Sequence, residues 1–237
     1  MPHRLAHTLA LILIVSVTDA AVAQSAGERV EAARARLAAL EQRSAQIHDL
    51  NTIENLQRSF GFYFDKMLWD EVLDLFADDA TVEIGSSGVY VGKESIRPYL
   101  YGLSGGVQGP IEGELFEHLQ LQPIVTVADD GMSANGRWRA IVMTGTSGSG
   151  SGGNWGEGPY ENEYIKEDGI WKISRLRWFG NFLVPYEGGW LNADPEMLDK
   201  YSEGGGTSPD QPSSTDYEPY PAASTPPFHY ENPGRTD

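Results

Sequence analysis

Five histidines stand in the 237 residues, and cysteine is absent. His3 and His7 lie in the first stretch and His229 in the last, which leaves His48 and His118 in the body of the chain. Two imidazoles so far apart in sequence make a poor metal set, and thiolate catalysis, disulfides and cysteine-held metals are excluded. The titratable groups that remain point to acid–base work without a cofactor. The Gly-rich run at residues 144–158, TGTSGSGSGGNWGEG, has the look of a phosphate loop but lacks the Lys-Ser/Thr pair that binds phosphate and magnesium. It reads as a hairpin tip or lid. No dinucleotide fingerprint is present. The formal net charge of -17 argues against nucleic acid, which demands a cationic surface, and against docking on anionic lipid.

The elements that must position these groups follow from periodicity. Arg4, the apolar stretch Leu9–Val17 and Ala21-Val22-Ala23 read as a signal peptide over residues 1–23, too short to span a bilayer. A secreted or periplasmic protein is expected, with no membrane insertion after cleavage. Residues 24–48 follow as an N-terminal helix, in which Val30, Ala33, Leu37, Leu40 and Ile47 fall on an approximate heptad seam. That seam packs either on its own domain or on a neighbouring subunit. Residues 51–64 and 67–77 have helical spacing, with Asp78-Asp79 ending the second segment. Thr81–Ile84 and Val89–Val91 form a hairpin around Gly85–Gly88. Gly92 opens a helix to about Tyr101, through Pro98.

From Glu114 the period becomes two. Strands are expected over 118–127, with Pro123 at a bulge, then over 133–144, 160–166 and 171–178. Alternation puts Gly158, Tyr160, Asn162 and Tyr164 on one face. Past Trp190 the composition turns to Gly, Pro, Ser, Thr and Tyr, and residues 203–237 have no core of their own. Tyr217, Tyr220, Phe228 and Tyr230 suggest an extended arm lying over the domain or a partner. The expected division is 1–23, 24–48, a domain over 49–190, and a C-terminal extension over 191–237.

Helices, hairpin, helix, then long strands, with FYFDKMLWDEVLDLFADDATVEI (62–84), VGKESI (91–96), EHLQLQPIVTV (117–127) and GPYENEYIKEDGIWKISRLRW (158–178), resemble the SnoaL-like (NTF2-like) superfamily. The resemblance implies an α+β fold: a cone of strongly curved antiparallel sheet, wrapped by N-terminal helices around a small-molecule cavity. It also implies the site. His118 matches the strand histidine of scytalone dehydratase-like members, and Asp65 matches the family's cavity aspartate. Tyr63 joins them as a catalytic candidate, and Arg177, Tyr160, Asn162, Tyr101 and Trp69 as substrate-binding candidates. On the same alignment Trp171, Ile173, Arg175, Arg177 and Phe179 point inward, where an arginine would bind an oxyanion. A register shift of one would send both arginines outward. The chain departs from the pattern at Gly158, where scytalone dehydratase-like enzymes carry a second histidine, and at Asn162, where many relatives carry Asp.

The exported domain with a helical prefix and a Pro/Tyr-rich tail is similar to the sphingomonad diarylpropane and phenylcoumaran gamma-formaldehyde lyases. The heptad seam and the tail point to a homo-oligomer, and that likeness implies a cofactor-independent lyase active on a lignin-derived aromatic dimer. Its alternatives are a dehydratase or isomerase for a polyketide- or steroid-like substrate, and a non-catalytic binding or assembly module.

Overall fold

A computed structural model describes residues 5–148, 152–202 and 206–235, without the side chains of 5–24 and 202. The side-chain pattern of the expected signal peptide therefore lies outside the described residues. Among them no helix is long and apolar enough to cross a membrane. The first helix, α1 (Leu5–Asp65), is continuous where the sequence suggested two segments. The chain divides into two compact units, Met1–His48 and Asp49–Asp237. In the first, Val30, Leu37, Leu40 and Ile47 are all more than half exposed.

The second unit begins with the end of α1, where Ile53, Phe60 and Phe64 are buried at helical spacing. Next come α2 (Trp69–Asp74), β1 (Phe76–Ile84), β2 (Val89–Val91) and α3 (Gly92–Leu103). The helix expected over 67–77 is shorter, because Phe76 and Ala77 already belong to β1. Asp78 and Asp79 lie inside that strand as an exposed irregularity in its pairing. Four long strands follow: β3 (Glu114–Val127), β4 (Ser133–Thr146), β5 (Gly153–Glu167) and β6 (Ile170–Trp178). Of the Gly-rich run, residues 149–151 lie outside the described residues; 144–146 end β4, 153–158 belong to β5, and a further strand, β7 (Phe182–Pro185), pairs with residues 154–157. The chain closes with α4 (Pro195–Ser202) and the extended tail.

The sheet runs β2-β1-β6-β5-β4-β3, with β7 on β5. It is mixed rather than antiparallel throughout, since β1 and β6 pair in parallel. Two bulges bend it. One falls at Gln122–Pro123, where the β3–β4 register slips and Gln122 adopts φ 51°. The other falls in β6, where Glu163 faces Arg175 but Tyr164 faces Ile173. Ser174 is the extra residue, and an inserted residue reverses the side-chain alternation beyond it. Trp171 and Ile173 face the core, and so do Leu176 and Trp178. Arg175 and Arg177 turn to the opposite face. The inward arginines expected from the alignment are therefore not there, and the one-residue slip has a specific cause.

Gly158 explains a departure from the family pattern. A Cβ built there would sit 2.2 Å from the Phe179 carbonyl oxygen and 2.7 Å from the Gly180 Cα. The crossing of β5 by the chain leaving β6 leaves no room for a side chain, still less an imidazole. Gly158→Ala is expected to cost about 3 kcal/mol through overpacking against backbone, a fall in Tm of roughly 10 °C. Gly153→Ala, whose nearest neighbour would be a carbonyl at 3.4 Å, should change Tm little. Thermal melts of both proteins check the difference.

Candidate active site

Asp65 ends α1, and its Oδ1 accepts the backbone N–H of His118 at 2.5 Å. The same oxygen lies 3.7 Å from His118 Nδ1, which makes no hydrogen bond. The imidazole is 3% exposed. Phe64 and Phe116 meet it at ring-centroid distances of 4.6 and 4.5 Å. His118 Nε2 is 2.6 Å from the hydroxyl of Tyr201, which comes from α4. Desolvation lowers the His118 pKa below the ordinary imidazole value, and the Asp65 carboxylate opposes that shift without cancelling it. The ring is neutral at pH 7. The carboxylate near Nδ1 favours the tautomer with its proton there, which leaves Nε2 as the acceptor and Tyr201 as the donor.

Nε2 opens on a hollow under the bent sheet. Its walls come from α1 (Phe64), α3 (Tyr99 and Leu103), β1 (Ile84), β4 (Val142), β5 (Tyr160), β6 (Trp178) and α4 (Tyr201). The free space is only about 10 Å³. Burial raises the pKa of Tyr99 and Tyr160, so both stay phenols. On the solvent side of Asp65 a separate groove of about 310 Å³ runs between α1 and β3, past Arg58, Phe62 and Leu119. That groove is larger and His118 lies along it as well, but the ring is buried and its Nε2 faces the inner hollow.

The structure brings together three of the residues singled out from sequence: Asp65, His118 and Tyr160. Trp69 lies deeper, fully buried, with its Nε1 donating to Ser104 Oγ (2.9 Å) and the Val107 carbonyl (3.1 Å). Asn162 is buried in a polar floor. Its Nδ2 donates to Gln57 Oε1 at 3.0 Å, and its Oδ1 accepts the Arg177 N–H at 3.1 Å beside the bulge. An aspartate at 162 would have no proton to give Gln57. Tyr63 is half-buried and outside the hollow's walls. Tyr101 bonds Gln108 near the Asp70–Arg97 pair, away from the hollow.

Three residues of this site escaped the sequence reading. Gln57 is fully buried and accepts from Asn162 and from Tyr164 (2.8 Å). Its spacing on the apolar stripe between Ile53 and Phe60 was a visible signal. Gln120 shares the face of His118, two residues on in β3, accepts from Gln57 at 2.9 Å and donates to the His118 carbonyl at 3.0 Å. Tyr201 had no signal, because nothing in the sequence says where α4 docks.

A family model for the SnoaL-like domain matches residues 45–177. The chain belongs to the SnoaL-like domain family. Several solved structures share this SnoaL-like fold. Hexachlorocyclohexane dehydrochlorinase LinA-type3 from Novosphingobium barchaimii is 20% identical with a TM-score of 0.53, over 62% of this chain and 95% of that one. A protein of Novosphingobium aromaticivorans, provisionally named a scytalone dehydratase, is 18% identical with a TM-score of 0.52, over 61% and 91%. A Mycobacterium tuberculosis protein of unknown function is 21% identical with a TM-score of 0.50, over 66% and 92%. At these identities the likeness is one of fold. Among curated proteins no sequence matches this SnoaL-like chain.

On the other face of the sheet, Arg177 is 1% exposed and pairs with Glu83, Nε to Oε2 at 3.1 Å. It stacks over Phe179 at 4.2 Å and donates to the Gly85 and Trp178 carbonyls and to Thr215 Oγ1 in the tail. Burial lowers its pKa to about 10, against the pull of Glu83, so it remains a cation. Glu83 also accepts from Ser213 Oγ (2.7 Å) and the Ser214 N–H (2.9 Å). This pair clamps the tail. Arg177→Met is expected to cost roughly 3–5 kcal/mol by leaving the Glu83 charge buried without its cation. Glu83→Gln/Arg177→Met should recover much of that loss. Chemical denaturation measures both, and limited proteolysis should cut the tail faster in the single variant.

Proposed function

We propose that this is an exported, cofactor-independent lyase for an aromatic small molecule, with His118 as general base and Asp65 positioning and balancing it. What supports this best is one feature: a desolvated, neutral imidazole whose Nε2 faces an aromatic hollow while a carboxylate stands behind its Nδ1. The base takes a proton from a substrate O–H or C–H. The released pair forms a new double bond, and a neighbouring C–C or C–O bond breaks toward an electron-poor centre or a leaving group. On a lignin-derived dimer His118 takes the phenol proton, the phenolate expels the α-oxygen, which leaves with that proton as water or a phenol, and a quinone methide remains. The terminal hydroxymethyl group then gives up its O–H proton, which ends on the restored phenol. Formaldehyde departs, and the C–C electron pair restores the aromatic ring of a stilbene. Because Arg177 lies on the far face, the donors for a phenolate developing at His118 are the imidazolium itself and the buried phenols of Tyr99 and Tyr160.

An elimination reading also has support. The fold neighbours named as a dehydrochlorinase and as a dehydratase bear names for reactions that remove a proton and a leaving group, and the same base would serve a dehydratase or isomerase here. The exposed seam of Val30, Leu37, Leu40 and Ile47 supports a homo-oligomer built through the N-terminal helix. Leu37→Glu/Leu40→Glu should lower the sedimenting mass; an unchanged mass removes that role.

Incubation with a diarylpropane or phenylcoumaran dimer should release formaldehyde and develop stilbene absorbance; a series of aryl substrates yielding neither product nor eliminated water or halide rejects the lyase reading. His118→Ala is expected to lower turnover by about 100- to 10,000-fold with the fold intact by circular dichroism. The pH profile carries a sign. Because the pKa of His118 is lowered in the fold, the base form persists below the ordinary imidazole value of roughly 6.5. kcat/KM should stay level as pH falls to that value and decline only below it. Asp65→Asn removes the group that raises the pKa, so the acid limb should move further down. An upward move would show that the two groups are not coupled this way.

A further inference from the structure

A hollow of about 10 Å³ is at the limit for one water, whereas pockets that hold small molecules measure roughly 300–1,000 Å³. No aromatic ring enters the cone as it stands. What fills it is the side chain of Tyr201. Its hydroxyl is 2.6 Å from His118 Nε2, and its ring lies edge-on to Trp178 with centroids 6.2 Å apart. Burial raises its pKa well above the ordinary phenol value, so it sits there as a neutral phenol. Tyr201 thus does to the base what a substrate phenol would do.

The helix that delivers Tyr201 is short and packs on β7. α4 has eight residues, and its buried anchor, Leu198, rests where Gly180 leaves room, 2.7 Å from the site of an absent Cβ. A bond from Ser86 to Asp199 adds one polar tie. Glycines in left-handed backbone stand on both sides: Gly188 (φ 98°) and Gly189 (φ 58°) before it, and Gly206 (φ 61°) after it. Such positions absorb large backbone rotations at little steric cost. Trp190 and Leu191, on the connecting turn, are 50% and 82% exposed; Trp190 meets Trp155 of β5 edge-on at 5.2 Å, whereas Leu191 stands out in solvent.

We propose that Tyr201 is a built-in occupant of a phenol site: the cone takes the 4-hydroxyphenyl ring of its ligand where the Tyr201 ring now lies, with the ligand hydroxyl on His118 Nε2, and α4 swings away on its flanking glycines to admit it. The proposal rests on the reading of this cone as the active site. It makes the open state the binding-competent one, so apparent affinity is reduced by the fraction of time α4 is docked. It also explains why a pocket that holds His118 has room for no more than one water.

The test uses binding, not turnover, with p-cresol as the probe and toluene as its hydroxyl-free counterpart, titrated calorimetrically into the full chain. Tyr201→Ala vacates the ring site and should bind p-cresol at least about tenfold more tightly than the native protein. It should prefer p-cresol over toluene by roughly two- to tenfold, the worth of one hydrogen bond. p-Cresol should also raise the Tm of Tyr201→Ala more than that of the native protein. Tyr201→Phe keeps the ring and loses only the tie to His118, so it should bind p-cresol more tightly than the native protein even if the alanine variant does not fold. Overturning results are a folded Tyr201→Ala with no gain in p-cresol affinity, equal affinity for toluene, or a Tyr201→Phe no better than native. Because no step reads catalysis, an intact phenol site beside undiminished turnover in His118→Ala would remove the lyase assignment and leave the gate standing.

Discussion

The hydrogen bond from the His118 backbone amide to the Asp65 carboxylate ties the end of α1 to the edge strand β3. It is charge-assisted, shorter and stronger than a neutral pair, and half of its geometry is backbone, so it fixes the strand and not just a side chain. With that amide held, the imidazole must point under the sheet, and the carboxylate must stand behind Nδ1. The helix then closes one side of the cone with Phe60 and Phe64. The remaining carboxylate surface faces the outer groove, which puts the balancing charge at the boundary between water and the dry interior. An imidazole that is desolvated yet has a carboxylate at its back stays neutral but keeps part of its basicity, which is what the proposed general-base role requires.

Curvature is the second constraint, and it rests on few residues. The bulges at Gln122–Pro123 and Ser174 bend the sheet. The bulge at Ser174 also reverses the alternation of β6, and so decides that Leu176 and Trp178 line the interior while Arg175 and Arg177 go outside. The polar floor of Gln57, Gln120, Asn162 and Tyr164 answers the same curvature. Trp138 Nε1 donates to Tyr164 at 2.9 Å, and the Asn162 carbonyl caps the backbone donor next to the bulge. Buried polar networks are favourable only when every member is satisfied, and this one binds α1 to β3, β4, β5 and β6 without placing a charge in the cone.

The C-terminal segment serves both faces. Through Tyr201 it fills the interior. Further on it lies over the exterior, where Ser213, Ser214 and Thr215 meet the Glu83–Arg177 pair, Tyr217 bonds Asn181, and His229 stands 2.8 Å from Glu161. The aromatics of a Pro- and Gly-rich tail find partners this way: Phe228 under Arg137 at 4.2 Å and Tyr217 against Phe179 at 5.2 Å. A stretch with no core of its own is ordered by borrowing surface from the domain.

By itself the sequence determined the family and the order of most elements, and it singled out the histidine and the aspartate that the fold brings together. Those features reside in local pattern: apolar residues at helical spacing up to Phe64, period-two strands from Glu114, turn chemistry at Glu167-Asp168-Gly169, and a single histidine in the strands. The bulge at Pro123 was legible for the same reason, since proline cannot donate to a ladder. Only the tertiary structure decided which way Arg177 points, because one inserted residue in β6 inverts a face and leaves no mark on composition. It alone decided that Gly158 admits no side chain, since the crowding carbonyl belongs to Phe179, 21 residues away in sequence but adjacent in space. And it alone brought Tyr201 to His118, a contact across 83 positions that no periodicity encodes, because it depends on where a short helix finds room to dock.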